Sequence, residues 1–239
     1  MRKVSLTIEG IPAILWGESS DKLFIAIHGN RSRKDDEVIQ ILAEEAIDKG
    51  YRVLSFDLPE HGERKGKDYA CKVQNCINDL TAIAGYALNI SKNISIFACS
   101  MGAYFSLIYN KSLQIEQCLF LSPILDMERI INNMLICFSI SEERLEKEKV
   151  IETPVGQKLY WDDYSYIKSQ SVDTWDIPTY ILYGSDDILI ESDVIYEFVK
   201  QHHCRLDVLK HGEHYFHTDG QLLYFREWLR KYISSFNPH

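Results

Sequence analysis

Ile94-Ser95-Ile96-Phe97-Ala98-Cys99-Ser100-Met101-Gly102 is the stretch that decides how this chain is read. Its first six residues have the length and apolarity of a buried strand, and residues 101–110 continue as an apolar helix. A nucleophilic serine at a sharp strand-to-helix turn needs small residues two positions before and after it. Larger side chains would collide there as the backbone folds back through a strained conformation. Ala98 and Gly102 fill those two positions around Ser100. Such a turn lifts the serine oxygen above the sheet edge. It also aims the backbone N–H of Met101, at a positive helix N-terminus, toward the same point. A small-residue turn packed under a helix would look the same in isolation, so the surroundings must decide. Cys99 is a rival nucleophile by chemistry, but the spacing of the small residues centres the turn on Ser100. The uncharged run 93–110 approaches the length of a bilayer span. Its serines, Gly102 and change of period instead make it a strand running into a helix, and no membrane span is expected.

Working outward, short apolar runs predict strands at residues 4–8, 12–16, 22–28, 52–56, 94–99, 115–121, 178–183 and 205–209. Helical periodicity lies between them. It runs over residues 36–49 and along the stripe Val73, Cys76, Ile77, Leu80, Ile83, Ala84, Ala87, Leu88. It returns around Val194, Ile195, Phe198 and Val199, and again at Leu222, Phe225, Leu229 and Tyr232. Alternation of this kind predicts an α/β fold, a mostly parallel central sheet with helices on both faces. Residues 125–175 break the pattern and are too long for an ordinary connection. They are expected to form a small helical lid or cap inserted into a core made of residues 1–124 and 176–239. The insertion holds an apolar stretch (134–140), a charged helical stretch (142–149) and the aromatics Tyr160, Trp161, Tyr164, Tyr166 and Trp175.

A serine nucleophile needs a base, and the base needs an acid to orient it. Strand 178–183 leads into Gly184-Ser185-Asp186-Asp187, where Asp187, just before an apolar run, is favoured over Asp186. Strand 205–209 leads into Lys210-His211-Gly212-Glu213-His214, and His214 is favoured as the base over His211 and His217. The loop after strand 22–28 opens with His28-Gly29-Asn30, so the Asn30 N–H joins that of Met101 as a candidate oxyanion donor. Read blandly, these are a helix cap, a surface histidine and a strand-ending turn. Their arrival in this order behind successive strands argues for a site.

Composition narrows the function. The 239 residues can bury roughly 70–75% of the unfolded surface, enough for one large domain. Asp and Glu outnumber Lys and Arg 35 to 26, a formal charge of −9, which disfavours nucleic acid as a partner. None of the six cysteines pairs at zinc-like spacing, the eight histidines show no metal-ligand pattern, and no glycine-rich dinucleotide fingerprint occurs. No metal or cofactor is therefore expected. The N-terminus lacks the apolar stretch of a secretory signal, and a cytoplasmic setting is the simplest expectation. Arg31, Arg33, Lys34, Arg64, Lys65 and Lys67 fall in two loops expected at the site's edge. They would favour an anionic substrate if unopposed, but Asp35, Asp36, Glu60, Glu63 and Asp68 share those loops and nearly cancel them, so a solvated loop surface is expected.

Taken together the motifs resemble those of the α/β-hydrolase superfamily over residues 20–235. His28-Gly29-Asn30 is similar to its oxyanion motif, Ala98-Cys99-Ser100-Met101-Gly102 to its nucleophile elbow, and the loops at 184–187 and 212–214 to its acid and histidine loops. Asp57-Leu58-Pro59-Glu60-His61-Gly62 resembles its Asp-x-x-Gly-His-Gly turn, with Glu60 in place of a glycine, and a changed turn is expected there. The resemblance implies a serine hydrolase with the triad Ser100, His214 and Asp187, cleaving a carboxylic ester through an acyl-enzyme. The aromatic insertion suggests a small-molecule ester with an apolar group. An aminopeptidase, amidase or thioesterase would use the same triad, and a non-catalytic binding protein could keep the same fold.

Overall fold

The computed structural model describes residues 1–109, 113–172 and 174–233. Eight strands form one sheet, in the order β1 (Lys3–Ile8), β2 (Ile11–Trp16), β4 (Arg52–Phe56), β3 (Lys22–Ile27), β5 (Asn93–Cys99), β6 (Ile115–Leu121), β9 (Thr179–Gly184) and β10 (Arg205–Leu209). From β4 to β10 every neighbouring pair is parallel, and β2 alone runs against both its neighbours. The predicted strands are all present, with ends shifted by a residue or two.

Strand period explains the layering. Leu23, Ile25 and Ile27 of β3, with Ile94, Ile96 and Ala98 of β5, point into one core. Helices α2 (Val73–Ile90), α3 (Met101–Tyr109) and α7 (Ser192–His202) cover it. Phe24 and Ala26, with Phe97 and Cys99, point into a second core on the other face, under α1 (Glu37–Asp48) and α8 (Asp219–Tyr232). The central strands are buried on both faces, as their unbroken apolar runs require. The predicted α2 stripe faces its core except for Leu88, which is exposed. Asp79 takes a buried place on that helix and pairs there with Arg64. Asn110, where the predicted elbow helix ends, lies outside the described residues, as do residues 111–112, 173 and 234–239 of the predicted core and insertion.

Residues 125–175 carry α4 (Met127–Cys137), α5 (Glu142–Glu148), the antiparallel pair β7 (Val150–Glu152) and β8 (Lys158–Tyr160), and α6 (Trp161–Lys168). The charged stretch is α5, whereas the apolar stretch 134–140 straddles the end of α4 and the following turn. The Asp162 carboxylate takes the Lys72 ammonium at 2.6 Å, and Asp163 accepts the Val73 N–H at 2.8 Å. Both contacts pin α6 to the N-terminus of α2, whose own N-cap residue, Lys72, makes no side-chain cap. No helix among the described residues is long and apolar enough to cross a membrane.

Candidate functional site

At the carboxyl ends of the parallel strands, β5 turns into α3 through Ser100. Its φ of +50° is the left-handed conformation that the small neighbours permit. A Cβ on Gly102 would stand 2.8 Å from the Ile27 carbonyl oxygen, so only glycine lets α3 start this close to β3. Ser100 donates its N–H to the Leu121 carbonyl at 3.1 Å and accepts the Ile124 N–H at 3.0 Å, which fixes the turn.

The structure brings Ser100, His214 and Asp187 together. The Ser100 Oγ lies 3.0 Å from His214 Nε2, and His214 Nδ1 lies 2.7 Å from Asp187 Oδ2. A carboxylate only accepts, so Nδ1 carries the ring proton and Nε2 is left to accept from the serine hydroxyl. Asp187 is held in turn by the N–H groups of Leu189 (2.8 Å) and Ile190 (2.9 Å) at its other oxygen, and its side chain is fully buried. The rival candidates fall elsewhere. Asp186 accepts the Ser185 hydroxyl and lies 3.2 Å from His211 Nδ1, both side chains exposed. His217 turns to the Tyr215 carbonyl. Burial pushes the Cys99 thiol well up, which keeps it protonated and unreactive.

Met101 is the first residue of α3, and its N–H is among the donors that a helix start leaves without an intrahelical partner. Asn30 follows β3, and neither its N–H nor that of Met101 goes to another backbone group in the described loops and turns. Both residues line, with Ser100, a cavity of about 370 Å³. Phe105, Ile131 and Met134 make its depth apolar, and Ile188 and Leu189 from the acid loop close one side. Tyr160 and Tyr164 of the aromatic stretch reach this cavity, but Trp175 does not. It is buried against Phe120 of β6 and donates to the Thr179 hydroxyl at 2.7 Å, a core role that composition alone could not distinguish.

The rim behind Asn30 is built by buried polar groups. His28 Nε2 accepts the Leu58 N–H at 3.0 Å and its Nδ1 donates to the Gly29 carbonyl at 2.7 Å, joining the loop after β3 to that after β4. Burial lowers its pKa to about 4, so the ring is neutral. Burial alone would raise the Asp57 carboxyl. Lys34, through its ammonium at 2.7 Å and its N–H at 2.9 Å, together with the Glu63 N–H, holds it below the usual range instead. Lys34 and Arg64 are thus buried ion-pair partners rather than the solvated cations expected. Glu60 takes a φ of +61°, in the left-handed region that favours glycine, and its carboxylate accepts the Cys71 N–H at 2.8 Å.

His61 is the residue whose role the sequence did not reveal. Its Nε2 lies 3.1 Å from Asn30 Oδ1, and its Nδ1 lies 2.7 Å from the Pro59 carbonyl oxygen. Burial opposes a charge on this ring, but hydrogen bonds to Cys71 and Pro59, with Glu60 near, outweigh it and raise its pKa. Its motif was legible, whereas its contact across 31 residues to Asn30 was not.

No protein-family model and no curated protein sequence matches the chain. Solved structures do. Est1E of Butyrivibrio proteoclasticus with ferulic acid bound superposes with a TM-score of 0.77 at 19% identity, over 96% of this chain and 97% of that one. Mouse alpha/beta hydrolase domain-containing protein 10 gives 0.76 at 13%, over 98% of each chain. The Pyrococcus furiosus esterase Pf2001 gives 0.68 at 21%, over 96% of this chain and 88% of that one. Sheet order, elbow and these likenesses together define the class: the chain has the α/β-hydrolase fold.

Proposed function

We propose that the protein is a serine hydrolase that cleaves a small-molecule carboxylic ester through an acyl-enzyme, with Ser100, His214 and Asp187 as its triad. The hydrogen-bonded chain from Ser100 Oγ through His214 to buried Asp187 carries this reading. His214 Nε2 takes the serine proton as Oγ attacks the carbonyl carbon, while Asp187 fixes the tautomer and stabilises the imidazolium that forms. The N–H groups of Asn30 and Met101 receive the developing oxyanion, each worth about 3–4 kcal/mol in the transition state. His214 then returns the proton to the leaving alkoxide, and the Ser100 acyl ester remains. In the second half-reaction water attacks that ester, with His214 again as base, and Ser100 is released. The apolar cavity beside Ser100 suits a hydrocarbon or aryl portion, and residues 125–175, which supply much of its wall, act as a substrate-selecting cap. The names of the structural relatives, esterases among them, agree with this chemistry.

The test is turnover of short p-nitrophenyl esters. Wild type is expected to exceed Ser100→Ala by about 10⁴-fold or more in kcat. Equal rates would remove Ser100 from the mechanism.

A further inference from the structure

A second cavity of about 330 Å³ adjoins the apolar one. Asn30, Cys71, Met101, Lys158 and Tyr160 line both, and the second adds Arg31, Glu60, His61 and Lys65. Three of the five acidic residues that balance these loops in sequence are drawn off in the fold. Asp35 pairs with Arg33 and Lys3. Asp36 caps α1 and accepts the Ser32 hydroxyl. Glu63 pairs with Lys34. Asp68 lines, with Lys67, an adjoining cavity that shares Glu60, Lys65 and Lys158 with this one, so it is the acid that stays near these lysines. Among the described residues no ion pair engages Arg31, Lys65 or Lys158, and the Arg31 guanidinium reaches only the Val155 carbonyl, at 3.5 Å.

His61 adds a donor by hydrogen-bond logic. Asn30 Oδ1 accepts the Arg31 N–H at 2.9 Å, which fixes the oxygen rather than the amide nitrogen on that side. His61 Nε2 beside that oxygen must therefore donate, and so must Nδ1 beside the Pro59 carbonyl, which only accepts. Both ring nitrogens are placed to donate, in keeping with the raised pKa of His61. The wall thus holds three cations, Arg31, Lys65 and Lys158, with His61 as a donor. Against them stand Glu60, whose Oε2 accepts the Cys71 N–H, and the Cys71 thiol, whose pKa is lowered to about 7 beside Cys76 and His61.

We propose that this second lobe binds an anionic group, a carboxylate or a phosphate, on the part of the substrate remote from its hydrocarbon portion. The substrate class is then an amphiphilic ester whose hydrocarbon portion lies against Phe105, Ile131 and Met134 and whose anionic group lies toward Arg31, Lys65 and Lys158, the last at the boundary both cavities share. The proposal rests on the hydrolase reading above and narrows it.

The experiment compares 4-(hexanoyloxy)benzoate and 4-(hexanoyloxy)phenyl phosphate with the neutral 4-(hexanoyloxy)benzamide, each rate normalised to hydroxide hydrolysis. At least one anionic ester is expected to exceed the amide about tenfold in kcat/KM at low salt, with the ratio falling in 1 M NaCl. Which anion gains identifies the group the lobe takes. The ratio is expected to fall toward one in Lys158→Gln and Arg31→Gln, and to invert in Lys158→Glu. A wild-type ratio within twofold of one for both anions, or a ratio unmoved in all three variants, overturns the proposal. Calorimetric binding of the same compounds to Ser100→Ala separates the two readings. Anion-selective binding with no wild-type turnover would sink the hydrolase and keep the lobe. Turnover without selectivity would do the reverse, and unselective binding without turnover would sink both.

Discussion

At the scale of single residues, two adjacent aspartates separate by environment. Asp187 is buried and holds His214, while Asp186 is exposed and holds His211. Asp187→Asn is expected to lower kcat by about 10⁴-fold, because an amide at that place favours the wrong imidazole tautomer. Asp186→Asn is expected to stay within about threefold, since its partners are solvated and its charge is screened. Steady-state kinetics on one ester decide between them, and the opposite pattern would move the acid to Asp186. The hydrogen-bonded trio of Ser100, His214 and Asp187 was legible because each member follows a strand end and a small residue, a local signal. His61 and Lys158 were not, because their meaning lies in what stands across the cleft. Neither the contact of His61 with Asn30 nor the loss of Asp35 and Glu63 to other partners is visible along the chain.

At the scale of elements, the acid and histidine loops are held together where β9 and β10 end. A Cβ on Gly184 would stand 2.3 Å from the Gly212 carbonyl oxygen and 2.7 Å from that of Glu213, both backbone atoms that cannot swing away. Gly184→Ala therefore has to part the two loops that carry Asp187 and His214. Since a 1 Å misplacement can cost 10²-fold, kcat is expected to fall by about that factor, with a loss of stability of about 1–3 kcal/mol. Kinetics and urea unfolding of the same variant test this, and a variant with wild-type kcat would show that the close approach does not position the site. The long elements were readable from the helical stripe of α2 and from unbroken apolar runs such as that of β3, whose residues alternate between two cores. Within 125–175 the charged helical stretch returns as α5, but the strands β7 and β8 have three residues each, too short for a period to show. Trp175 belongs to the core rather than the cavity for the same reason: nothing in an aromatic cluster says which ring is covered by which element.

For the whole molecule, stability and site share the same buried polar frame. His28 joins the loops after β3 and β4 as a neutral ring, with a pKa of about 4 in the fold against 6.5 when exposed. The unfolded chain takes up this proton first as pH falls. The contribution of neutral His28 is therefore complete above pH 6.5 and is lost progressively toward pH 4, a loss of about 3 kcal/mol. His28→Gln is expected to be less stable at pH 7 and to lose less on acidification. Urea midpoints between pH 7 and 4 measure this, and parallel pH curves would contradict it. Net charge said nothing about this frame, because −9 spread over the surface leaves Lys34, Asp57, Arg64 and Asp79 free to pair inside. The proposed chemistry stands on one activated serine. The most direct measurement is labelling with a fluorophosphonate, followed by mapping of the adduct by mass spectrometry. The expected result is a single adduct on Ser100, absent in Ser100→Ala and strongly slowed in His214→Ala. An adduct on another residue, or equal labelling of Ser100→Ala, would contradict the account.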